Sequence, residues 1–328
     1  MVERWDRVGR AAAYGAAAAL VPYLVIKVSW VVGSLLGLLP VGRGFSLGGW
    51  LVLNTVTIGM ASAGIMLGLA LVRPWGMRMP GWLVGFVAWV GSGFLVSILP
   101  FVVVSALVNS ATGTSGGSGG DAAMPGWEAA LLQCSFVGTG IALAIALPAY
   151  LRRRWPHALR RPQQPRTRTS SGPLWPAVTG GVTGLAWLYW AAGGSLGIAH
   201  FDERTVSWHV LVGVSACWAL AASGAVLAID HRRRITRLPY LLLLALAWLG
   251  SGSMFAWSGW RLPATVYVAL THPSDVSYPE NVAIAVALHV TAVLTGAGMT
   301  QSLVRGDRRR LNGADSAEES AQRVDRHP

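Results

Sequence analysis

Eight apolar runs set the terms on which this chain can fold. They cover about residues 12–38, 47–71, 81–108, 128–150, 174–198, 207–229, 239–259 and 280–303. Each is close to or above the ~20 residues an α-helix needs to cross a ~30 Å hydrocarbon core. Lipid offers backbone N–H and C=O groups no water to bond, so a crossing segment must satisfy them internally. The runs are therefore predicted to be helices. Charged residues make up 12% of the chain, against roughly 25% in a soluble globular domain, which again makes lipid the main solvent.

The net charge of +12 would suit nucleic acid if it were clustered, but its placement excludes that partner. Of the 25 arginines, 22 lie in the N-terminus, the 72–80, 151–173 and 230–238 loops and the C-terminal tail, against eight acids there. The alternate loops hold only Arg43, Arg204 and Arg261, with six acids, Asp121, Glu128, Asp202, Glu203, Asp275 and Glu280. Short cytoplasmic loops collect Lys and Arg, so both termini are predicted to be cytoplasmic in a bacterial inner membrane. The basic loops are predicted to attract anionic lipid headgroups.

An internal repeat organises the runs. Ala-Trp-Val-Gly-Ser-Gly at 88–93 recurs as Ala-Trp-Leu-Gly-Ser-Gly at 247–252, each preceded by Arg-x-Pro at the same spacing. Trp30-x-x-Gly33-Ser34-x-Leu36-Gly37 matches Trp190-x-x-Gly193-Gly194-x-Leu196-Gly197 at an offset of 160. Trp50 matches Trp208 at 158, and Glu128 matches Glu280 at 152. Four spans per unit return the chain to its starting side, so the halves are predicted to be parallel repeats. The predicted fold is an all-α transmembrane bundle of eight helices built as two parallel four-helix repeats. Residues 1–150 form the first repeat, 151–173 a basic cytoplasmic linker, 174–303 the second repeat, and 304–328 a disordered cytoplasmic tail. The outer loop 109–126 is Gly/Ser-rich and reads as a flexible linker.

In lipid, helices associate where small residues let their backbones approach. Trp89, Gly91 and Gly93, with Trp248, Gly250 and Gly252, are accordingly predicted to form a packing notch between the halves. Trp30, Trp75, Trp82, Trp127, Trp175, Trp190, Trp208, Trp257 and Trp260, near span ends, read as interfacial anchors. Cys134 and Cys217 fall inside spans and read as small buried hydrophobes.

Lys27, the only lysine, sits mid-span. A central charge costs at least ~2.5–3.5 kcal/mol on insertion scales and marks a candidate functional position. His289 lies well inside the last run, where a titratable ring could relay protons or bind a ligand. With Asn54 and Gln133 they form the candidate intramembrane polar site. Glu128 and Glu280 read as first-turn acids that favour the helix dipole. No metal spacing, Walker loop, GxSxG or HExxH motif occurs, so no metal, no cofactor and no catalytic residue is expected.

The Arg-over-Lys bias, the Ala, Gly and Val richness and the Trp-x-x-[Gly/Ser]-rich span ends resemble uncharacterised multi-pass membrane proteins of high-GC actinobacteria. That resemblance implies no activity. The expected function is a small-molecule carrier with a polar site between the repeats. The alternatives are a non-catalytic scaffold or signalling protein working through its basic loops with a protein partner, and an intramembrane enzyme on a lipid-like substrate, for which the titratable cluster is missing.

Overall fold

The computed structural model describes residues 2–42, 46–112, 126–155, 174–230, 238–271 and 278–324. Among these residues the chain is all-helical, in nine helices: α1 Val2–Leu35, α2 Leu47–Ala70, α3 Pro74–Arg78, α4 Gly81–Thr112, α5 Gly126–Arg154, α6 Trp175–Ala191, α7 Val206–Asp230, α8 Tyr240–Thr271 and α9 Val282–Val324. Seven of them (α1, α2, α4, α5, α7, α8 and α9) are long and apolar enough to cross a membrane, which makes this a polytopic membrane protein. The run predicted over 174–198 becomes α6, of 17 residues. It is shorter because Gly193 adopts φ +95°, a left-handed turn that L side chains avoid. The Gly194 amide then closes back on the Tyr189 carbonyl at 2.8 Å.

The helices pack in two groups. In the first, α1 lies against α2 and α5, and α4 touches α5 and α2, although most of its packing is on α8 and α7. In the second, α6 lies against α7 and α9, and α8 against α7 and α9. The groups meet where α4 packs on α8 and α7. The approach there is backbone to backbone: a Cβ on Gly93 would fall 2.1 Å from the Gly252 carbonyl carbon, and one on Gly252 would fall 2.7 Å from the Trp89 carbonyl oxygen. Side chains then bond across the seam. Trp89 Nε1 donates to Ser251 Oγ at 3.2 Å, and the Ser97 and Ser253 hydroxyls share a 2.8 Å bond. Pro100 has no N–H to offer the Val96 carbonyl one turn earlier. Trp218 Nε1 from α7 donates to that carbonyl at 2.9 Å, so a proline-freed acceptor inside the bundle is satisfied by a neighbouring helix.

Several expectations change. Trp30, Trp190 and Trp208 are buried in the bundle, because each indole finds packing partners inside it. Cys134 and Cys217 are exposed on the helix surfaces. Helix α8 runs through Pro263 to Thr271 and so carries Arg261, which the sequence assigns to a loop, into the bundle. Helix α9 continues to Val324, where composition predicts disorder after residue 304. Residues 305–324 are rich in Arg and Ala, good helix formers, and they extend a helix that is already nucleated. Most of the basic linker (156–173) and of the Gly/Ser-rich loop (113–125) lies outside the described residues.

The seam makes a direct prediction. Gly93→Ala should destabilise the protein by about 1–3 kcal/mol, the usual range for overpacking, in denaturant titrations in detergent. Gly91→Ala, whose Cβ would meet nothing within 4 Å, should leave stability unchanged.

Candidate functional site

Two polar loci lie inside the bundle, one in each helix group. The first gathers on α1 and α2. Asn54, one turn below Trp50 on α2, is fully buried, and its Nδ2 donates to the Trp50 carbonyl at 2.9 Å. That bond turns the Asn54 Oδ1 toward α1, where Lys27 Nζ donates to it at 3.1 Å. The same ammonium sits 3.9 Å from the centre of the Trp30 ring. Trp30 in turn stacks on Trp50, with centroids 5.6 Å apart, and Trp50 Nε1 donates to Ser34 Oγ at 3.1 Å. An amide oxygen and an indole face both attract a cation. The mid-span lysine is therefore solvated by protein groups.

The structure thus brings Lys27 and Asn54 together. Gln133 is half-buried on α5, next to Leu132, which packs on the Ile26, Trp30 and Trp50 cluster. His289 belongs to the other helix group. It is buried, its Nδ1 is 3.2 Å from Ser258 Oγ, and its ring centroid is 6.2 Å from that of Trp187.

The second locus is a pocket among α6, α7, α8 and α9. Trp187, Trp190, Trp257, Ser215, Arg261, Glu280 and His289 contribute to its lining. Its cavity volume is about 10 Å³, close to what one water centre requires. Glu280 is the residue the sequence misread. Its expected duty at the start of the last span is performed by Asn281, whose Oδ1 accepts from the Ala283 and Ile284 amides at 3.1 and 3.3 Å. A short antiparallel bridge to Ile198 and a 2.8 Å bond from the Asn281 amide to the Gly197 carbonyl hold this segment down on the α6–α7 connection. The Glu280 side chain then turns inward and is 4% exposed. Its Oε1 accepts from Trp208 Nε1 at 2.8 Å. Its Oε2 is buried and has no hydrogen-bond partner among the described residues.

No protein-family model, no curated protein and no solved structure matches this chain. The geometry alone carries the argument. A buried carboxylate oxygen without a partner is costly, and such a group in a concave, aromatic-lined pocket is a mark of a binding site. Arg261, in the same lining, makes no ion pair among the described residues. Glu280, Arg261, Trp190 and Trp257 were absent from the sequence-derived site. The recurrence of Glu128 as Glu280 was visible, but nothing in the sequence tells which way a carboxylate at a helix start will turn. Among the described residues no three His, Cys, Asp or Glu side chains come together to hold a metal ion.

The Lys27–Asn54 contact predicts coupling. Asn54→Leu should destabilise the protein more in the wild-type background than in Lys27→Met. The coupling should be about 0.5–3 kcal/mol in a double-mutant cycle, the usual range for residues in one polar network.

Proposed function

We propose that the chain is an eight-span inner-membrane protein of two parallel four-helix repeats, with both termini cytoplasmic, and that it is a small-molecule carrier. Its binding site is the Glu280 pocket of the second helix group rather than the seam between the groups. The observation that carries this reading is the buried Glu280 Oε2, without a hydrogen-bond partner among the described residues, in a pocket that it shares with Arg261 and His289.

The eighth span is α6. Its 17 residues rise about 25 Å, within the range of short crossing helices. Val178, Val182, Leu185 and Leu188 are exposed along it, an apolar flank suited to lipid. The repeat is supported by the order of neighbours. The pairs α1–α2, α1–α5 and α4–α5 recur as α6–α7, α6–α9 and α8–α9. The basic bias of alternate loops supports cytoplasmic termini and gives the cytoplasmic face an attraction for anionic lipid headgroups. The seam, with Gly93 against Gly252, is packed too closely to hold a substrate, and this moves the site into the second group.

A carrier exposes its site to each side of the membrane in turn. Ser215 lines the pocket, so Ser215→Cys, with Cys134 and Cys217 replaced by Ser, should react with a membrane-impermeant maleimide in both right-side-out and inside-out vesicles. Reaction from one side only contradicts a carrier. Reaction from neither side contradicts the pocket as its site.

A further inference from the structure

The two loci occupy matching places in the sequence register. The offsets that align Trp30 with Trp190, Trp50 with Trp208 and Glu128 with Glu280 also align Lys27 with Trp187, Asn54 with Val212 and Gln133 with Ala285. Trp187, Trp190, Val212 and Ala285 all line the Glu280 pocket. The register thus sets the Lys27 locus of the first group against the Glu280 pocket of the second, with Trp187 standing in the wall of that pocket where Lys27 stands in the first.

The first group shows what that place holds well. Lys27 Nζ, a primary ammonium, rests 3.9 Å from the Trp30 ring and 3.1 Å from Asn54 Oδ1. In the second group Trp190 stands where Trp30 does, and the shorter Ala285 replaces Gln133. The amide oxygen is lost with Val212, but a charged acceptor, Glu280 Oε2, is present instead. A carboxylate holds an ammonium about twice as strongly as a neutral acceptor does. The cavity of about 10 Å³ takes a group the size of one water, which is also the size of an –NH3+ head.

We infer that the Glu280 pocket binds the primary ammonium group of a small molecule, with Glu280 Oε2 and Trp190 in the roles that Asn54 and Trp30 play for Lys27. This rests on reading the pocket as a ligand site. Arg261 refines the class. Its charge in the same lining disfavours a bare cation and favours a molecule that also presents an acceptor, so the ligand class is a zwitterion whose ammonium head alone occupies the cavity and whose carboxylate lies outside it, toward Arg261.

The test is equilibrium binding to the full chain in lipid nanodiscs. Intrinsic tryptophan fluorescence is followed on titration with glycine and with methylammonium chloride, with sodium chloride as the ionic-strength control. Saturable changes are expected for both, with tighter binding of glycine. Glu280→Gln should weaken glycine binding about tenfold or more, as loss of a charge-assisted bond predicts. Ala285→Gln keeps Glu280 and restores the side chain found in the first group. It should reduce binding by filling the cavity, and it covers the case in which Glu280→Gln fails to fold. No saturable response to either compound, or unchanged affinity in both variants, overturns the inference. Tighter binding of methylammonium than of glycine overturns the zwitterion refinement. Glycine binding with one-sided maleimide labelling of Ser215→Cys would remove the carrier reading and leave this inference standing. Two-sided labelling without binding of either compound would do the reverse.

Discussion

The contact between Gly93 and Gly252 is the constraint on which the rest of the arrangement depends. Two helices can touch backbone to backbone only where neither presents a side chain, and these glycines let α4 and α8 do so. With no hydrophobic effect between helices in lipid, such close packing and a few interhelical hydrogen bonds hold the groups together. The bonds from Trp89 to Ser251 and between Ser97 and Ser253 follow from the approach. So does the indole of Trp218, which comes within reach of the carbonyl that Pro100 leaves without a partner. A seam closed in this way brings the two backbones into direct contact at Gly93 and Gly252.

Each group then faces the same problem, a charged side chain away from water. The first solves it within the chain, since the Lys27 ammonium meets an amide oxygen and an indole face. The second solves it by half. Glu280 uses one oxygen on Trp208 and turns the other toward a pocket shared with Arg261 and His289. A partly satisfied buried carboxylate is an expensive feature for a fold that only needs to pack. In the proposed ammonium site, a donor from outside completes it.

The helical, membrane-spanning character was legible in the sequence because length and apolarity alone decide it in lipid. Lys27 was legible because a lone mid-span charge stands out against its surroundings, and the structure places Asn54 beside it. The direction of Glu280 was not legible: it depends on Asn281 taking the cap and on Pro279, Gly197 and Ile198 pinning the loop, which are contacts between residues some 80 positions apart. Arg261 was hidden for a different reason. The apolar run ends at about residue 259, which left Arg261 in a loop, yet α8 continues through Pro263 to Thr271. The tryptophans near span ends read as lipid anchors, and those that build the two loci turned inward.

The claim at the centre of this account is that the second helix group keeps a polar pocket where the first is filled by its own lysine. A cryo-electron microscopy map of the full chain in lipid nanodiscs, at a resolution that shows ordered water, tests it most directly. The account predicts density for a water or small molecule on Glu280 Oε2, with Arg261 held apart from it, and Lys27 seated on Asn54 in the same map. A direct ion pair between Glu280 and Arg261, closing the pocket, would contradict it.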